Sequence, residues 1–130
     1  MAGQPSSGGR IVQAVNEIPA IDPSIPPSGP GCVECLATGG WWFHLRRCTA
    51  CGHIGCCDSS PSQHTRHHAF DTGHPVATSY EPGEEWFWDY LREVEVAGMP
   101  LADPRHHPVE QSVPGPEGRV PPDWESLLNE

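Results

Sequence analysis

The residues that decide the fold run from Cys32 to Pro75, CVECLATGGWWFHLRRCTACGHIGCCDSSPSQHTRHHAFDTGHP. Two pairs, Cys32-x2-Cys35 and Cys48-x2-Cys51, are separated here by 12 residues. A two-residue gap lets both sulfurs of a pair turn onto one ion, and Gly52 after the second pair suits a tight knuckle. Cys56, Cys57, His64, His67, His68 and His74 follow. Zinc takes tetrahedral thiolate and imidazole ligands, and a structural site closes with four. Both pairs, one of the adjacent Cys56 and Cys57, and three histidines make eight ligands, enough for two zinc sites. Spacing leaves the partition open. In one arrangement the two Cys-x2-Cys units form a four-cysteine site, and His64 and His68, on one helical face, belong to a second. In the other the pairs interleave, so that Cys32 and Cys35 share an ion with Cys56 and His64, and Cys48 and Cys51 with His68 and His74.

Outward from this stretch, prolines divide the chain. Of 130 residues, 14 are glycine and 16 proline; residues 1–31 carry six of the prolines, residues 97–130 seven, and residues 32–96 only three. That middle segment holds all six cysteines, four of the five tryptophans and six of the eight histidines. The expected organisation is a folded domain at 32–96, an extended N-terminal arm at 1–31 and a Pro-rich C-terminal arm at 97–130. A domain of this size buries little apolar surface and commonly needs a staple.

The fold class is small α+β: an antiparallel sheet packed with one main helix. Ser60 suits the helix N-cap, Pro61 its first position and Gln63 the third, with Gly73 as the left-handed stop after His64–Phe70. Strands are expected at Trp41–Leu45, Val76–Tyr80 and Trp86–Val96, with a turn at Glu81–Glu84. In the arms, Arg10–Val15 reads as an edge strand, and Asp123–Leu128 as one helical turn capped by Asp123.

The run Cys-x2-Cys … Trp … Cys-x2-Cys-Gly … Cys … His-x3-His … Thr72-Gly73-His74-Pro75 resembles the UBP-type zinc finger, the ubiquitin-tail-binding module of deubiquitinating enzymes and of a cytoplasmic histone deacetylase. The resemblance spans residues 32–90. It implies two Zn2+ ions in the interleaved arrangement: Cys32, Cys35, Cys56 and His64 on one, Cys48, Cys51, His68 and His74 on the other. Three-zinc members have another Cys-x2-Cys where this chain has Phe87 and Tyr90, so that site is expected to be missing. Cys57 is then a spare thiol. The lysine-free, Pro/Gly-rich composition suits a GC-rich genome and a stand-alone bacterial member. A RING finger needs a final Cys-x2-Cys, where this chain has His68 and His74.

Function follows from what the zincs leave over. Sites filled by four ligands offer no place for a catalytic water, and the spare His44, His53 and His67 form no recognisable set with a nucleophile. The expectation is a non-catalytic module that binds a protein or peptide tail; a zinc-dependent hydrolase and a regulatory scaffold are the alternatives. The resemblance implies a partner pocket at Trp42, Trp86 and Trp88, with an arginine clamping the tail's carboxylate. Trp86 and Trp88 would share one side of their strand. Where that arginine is expected this chain has Asp58, which repels a carboxylate, and Arg46 or Arg47 is the candidate replacement. Seven Lys+Arg against 17 Asp+Glu, a net charge of −10, argues against nucleic acid and anionic membranes as partners. The N-terminus lacks an apolar signal segment and the cysteines have metal-ligand spacing, so a cytoplasmic location is expected.

Overall fold

The computed structural model describes residues 20–129. The Arg10–Val15 strand expectation lies outside the described residues. Helix α1 spans Val33–Thr38, strand β1 Leu45–Cys48, β2 Ile54–Cys56, helix α2 His64–Thr72, β3 Val76–Ser79, β4 Phe87–Asp89 and β5 Val94–Val96, and a 3-10 turn closes the order at Trp124–Leu127. The five strands form one antiparallel sheet in the order β2-β1-β3-β4-β5. The α+β class holds, with a five-stranded sheet and one main helix.

Several boundaries differ from the expected ones, each for a local reason. The main helix begins at His64, not Pro61, with Gln63 in the left-handed region at φ 53°. Ser60 does not cap it, because the Ser60 hydroxyl is fully buried and accepts the Phe43 N–H at 2.8 Å. The cap is a sulfur: the His64 N–H donates to Cys56 Sγ at 3.2 Å. The predicted strand at Trp41–Leu45 moves to Leu45–Cys48, leaving Trp42 with a single bridge to Gly115. The segment 86–96 is two strands of a hairpin. Asp89 breaks it, its Oδ1 accepting the Leu91 and Arg92 N–H groups at 3.0 and 2.9 Å while Glu93 turns left-handed at φ 58°. Helix α1 was not foreseen; it starts on Cys32, whose sulfur accepts the Cys35 N–H at 3.4 Å, and it stops at Gly39 in the left-handed region. The short β2 was missed too.

Strand alternation gives the sheet two distinct faces. Cys48 pairs with Ala77 and Ala77 with Trp88, and this face receives α2, where Ala69, Ala77 and Tyr90 pack together with Trp88 against them. On the other face Arg47 pairs with Thr78 and Thr78 with Phe87. The C-terminal arm covers that face. Arg105 donates to Thr78 Oγ1 at 2.8 Å and lies 5.6 Å from the Phe87 ring centroid. Arg47, 1% exposed, donates to the carbonyls of Ile25, Ala102 and Pro104 at 2.7, 2.9 and 3.2 Å. One buried guanidinium thus holds segments of both arms. Gly98 lies under the Phe87 ring, where a Cβ would overlap it. Further along, Gly115 exchanges two backbone hydrogen bonds with Trp42, Arg119 Nη1 donates to the Cys35 carbonyl at 2.8 Å, and Asn129 bonds Ser59 and Ser60. The described residues of the C-terminal arm run through turns and bends and pack against the domain.

The remaining core joins Cys32, Cys35, Trp42, Leu45, Ile54, Cys56 and Tyr80. Ligand cysteines therefore form part of what core there is.

Candidate metal centres and the adjoining pocket

Two groups of four side chains converge. Cys32, Cys35, Cys56 and His64 bring their ligand atoms within 4.8 Å of one another, and so do Cys48, Cys51, His68 and His74. The first group draws Cys32 and Cys35 from the start of α1, Cys56 from β2 and His64 from α2. The second draws Cys48 from β1, Cys51 from the knuckle after it, His68 from one turn further along α2, and His74 from beyond its C-cap. Of the two partitions open to spacing, the geometry is the interleaved one. Cys57 stands outside both groups, turned toward Ser60 at 3.4 Å.

The clusters can be tested against zinc by their edges. With Zn–S near 2.3 Å and Zn–N near 2.0–2.1 Å, a tetrahedral site has S···N edges of about 3.5 Å. His64 Nδ1 lies 3.2, 3.4 and 3.5 Å from the sulfurs of Cys32, Cys35 and Cys56. In the second cluster, Cys51 to His68 Nε2 is 3.4 Å and Cys48 to His74 Nδ1 is 3.7 Å. Both clusters fit. Backbone geometry supports them: the N–H of Gly40 returns to the Cys35 carbonyl and that of Gly52 to the Cys48 carbonyl, each at 2.9 Å. Gly52 sits at φ +82°, and a Cβ there would meet the Pro26 carbonyl.

Protonation points the same way. Hydrogen bonding with Cys32 and Cys56, then burial, pushes the Cys35 thiol up, and burial chiefly pushes Cys48 up to about 12. Several thiolates this close require a cation. Burial, then the neighbouring His53 and His74, lowers His68 to about 4, which keeps its imidazole neutral for a metal. The two centres differ in exposure. All three cysteines of the first are 0% exposed, whereas Cys51 of the second faces solvent.

Beside the first cluster, on the α2 face, lies an open concavity of about 300 Å3 lined by His44, Arg46, Cys57, Asp58, Ser59, Trp86, Trp88 and Tyr90. Trp86 and Trp88 wall it together, while Phe87 turns to the arm. Trp42 does not join them: it is 3% exposed and packs in the core beside Gly31 and Gly115. A tryptophan flanked by two zinc-binding pairs is needed more by the core than by the surface. Of the two arginines, Arg46 reaches the pocket, its guanidinium 4.7 Å from the Trp86 ring centroid, and Arg47 points away. Asp58 is at the rim but is not a free charge. Arg66 of α2 grips it through Nε at 3.2 Å and Nη2 at 2.9 Å, and sits 5.5 Å from the Tyr90 centroid. Spacing gave no sign of this pairing, since the partners lie eight positions apart across the 59–63 loop. Burial opposes ionisation of Cys57, but hydrogen bonds from His44 and Ser60 outweigh it and hold the thiol at about 7.

An α+β finger with two interleaved, four-ligand Cys/His centres defines a class of small zinc-stapled modules. The family described as the zinc finger in ubiquitin hydrolases and other proteins matches residues 32–100. A protein of Rhodopseudomonas palustris, RPA1320, solved by solution NMR, is 45% identical over 70% of this chain and 85% of its own, with a TM-score of 0.54. No curated protein matches. The chain belongs to the UBP-type zinc finger family. No helix among the described residues is long and apolar enough to cross a membrane.

Proposed function

We propose that this finger is a non-catalytic reader of flexible polypeptide tails, with zinc as its staple. Its pocket would take the last residues of a chain between Trp86, Trp88 and Tyr90 and the terminal carboxylate on Arg46. One observation carries the reading: a guanidinium laid over an indole at the back of an open aromatic concavity. Among the described residues, the hydrogen bonds and the long ion pair of Arg46 all run through Nη1, to the Leu45 carbonyl, Ser79 Oγ and Glu84. The Nε and Nη2 edge is left to face a carboxylate, the geometry in which arginine binds most strongly. The repulsion expected of Asp58 is largely offset by Arg66. Arg46 thus replaces the clamp from a neighbouring strand, which supports recognition of a tail such as a free Gly-Gly terminus. Four protein ligands at each centre leave no position for a reacting water, in keeping with a binding role.

The test is a titration of tail peptides, free and C-terminally amidated, against wild type, Trp86→Ala and Arg46→Met. Saturable binding to free termini that weakens about 10- to 100-fold on amidation or in Arg46→Met supports the reading, a charge-assisted hydrogen bond contributing about 1.5–3 kcal/mol. Equal binding of amidated peptides removes the clamp, and no binding of any tail removes the pocket.

A further inference from the structure

His53 belongs to neither cluster, yet it stacks on a ligand of the second and bonds Glu34 in the knuckle of the first. It follows the second knuckle, where its carbonyl accepts the Cys48 N–H at 2.8 Å. Its ring lies flat on His68, with centroids 4.0 Å apart and planes within 2°. Its Nε2 stands 2.9 and 2.8 Å from the two carboxylate oxygens of Glu34. Glu34 sits between Cys32 and Cys35, the first centre's knuckle, with Oε1 3.9 Å from Cys32 Sγ. A carboxylate only accepts, so His53 Nε2 carries the hydrogen. The side chain of His53 is 13% exposed, and that of Glu34 is 41% exposed.

We propose that Glu34 and His53 are a positioning pair that couples the two metal centres, so that zinc is loaded and lost as a pair. The coupling runs in both directions. A ligand imidazole binds well only while its ring plane is held, usually by a partner outside the coordination shell. For His68 that partner is the stacked ring of His53, which is itself pinned by Glu34. At the other end, a centre of three thiolates and one neutral imidazole around Zn2+ carries net negative charge, and a carboxylate 3.9 Å from one of its sulfurs is repelled. The His53 N–H offsets that repulsion and holds Glu34 outward. When the second zinc leaves, His68 loses its anchor, the stack loosens, and Glu34 is freed beside the first centre. When the first leaves, α1 relaxes and His53 loses its carboxylate. Helix α2, which carries His64 and His68 one turn apart, is a second link between the centres.

The experiment is stepwise zinc removal from the folded chain by a chelator, followed by native mass spectrometry of the two-, one- and zero-zinc species. Glu34→Ala removes the carboxylate from a helix that favours alanine, so folding is kept. His53→Phe keeps the stack and removes the N–H. Wild type is expected to pass from two zincs to none without a substantial one-zinc population. Both variants are expected to accumulate the one-zinc species, with the affinity of the Cys48 centre down about 10- to 100-fold. Glu34→Gln, which still offers His53 an acceptor oxygen, should restore part of the paired release. A merely structural role would lower thermal stability without changing the species distribution. Paired release in Glu34→Ala indistinguishable from wild type, or a one-zinc species as abundant in wild type as in the variants, would overturn the coupling.

Discussion

Arg46 and Arg47 are adjacent, chemically identical and on opposite faces of β1, and replacing each by methionine should separate two roles. Arg47 donates three hydrogen bonds to carbonyls of residues 25, 102 and 104. Each hydrogen bond from a charged donor contributes about 1.5–3 kcal/mol net, so the gross loss in Arg47→Met is roughly 4.5–9 kcal/mol. Relief from burying a guanidinium returns several kcal/mol, and the methionine stem refills most of the space. The net loss should be about 3–5 kcal/mol, a large share of the 5–15 kcal/mol typical of a domain. At about 4 °C per kcal/mol for a chain of this size, Tm at fixed zinc should fall by roughly 12–20 °C. The arms should loosen with it. The Ala102 amide, which donates to the Pro23 carbonyl at 2.8 Å, should lose its protection from hydrogen exchange. Arg46→Met, at the pocket, should cost less stability than Arg47→Met, since its guanidinium makes two hydrogen bonds, at 3.0 and 3.4 Å, and a long ion pair at 3.9 Å, yet it should weaken tail binding. A Tm within about 3 °C of wild type for Arg47→Met, with Ala102 still protected, would refute the claim that this guanidinium anchors the arms.

Three further outcomes follow from the geometry. Gly52→Ala, which forces a side chain into a left-handed knuckle and against the Pro26 carbonyl, should destabilise by more than about 2 kcal/mol in a denaturant titration, with impaired zinc retention. Acidification should empty the Cys48 centre first. His68 has its folded value lowered to about 4 from an ordinary 6.5, so its contribution is present above pH 6.5 and is lost as pH falls toward 4; metal content against pH, compared with Cys51→Ser, checks this. Asp58→Asn should change stability little, because the Arg66 pair is solvent-exposed, and should leave tail affinity unchanged or slightly raised; a tenfold loss would show that Asp58 itself contacts the ligand.

The zinc ligands were legible because chelation imposes its own spacing: Cys-x2-Cys, His-x3-His and the glycine after the second knuckle follow from metal geometry with little help from the rest of the fold. The partition was not legible from spacing, since both arrangements satisfy the same gaps; the resemblance pointed to the interleaved one. Strand and helix limits were misplaced where side chains were committed elsewhere. Ser60 looks like a cap but bonds Phe43, while Cys56, read only as a ligand, also caps the helix. Asp89 looks like an alternating strand residue but folds the chain back on its own carboxylate. The pocket was half legible. Period-two alternation placed Trp86 and Trp88 together, but Trp42 went to the core, and nothing in one dimension distinguished Arg46 from Arg47 or joined Asp58 to Arg66.

This finger is built on a pair of interleaved zinc centres, one of three sulfurs and one nitrogen, the other of two and two. Cadmium-113 NMR of the doubly substituted protein tests it most directly. Two resonances of equal intensity are predicted, the three-sulfur site downfield of the two-sulfur site. A single bound metal per chain, or a resonance from a four-sulfur site, would contradict it.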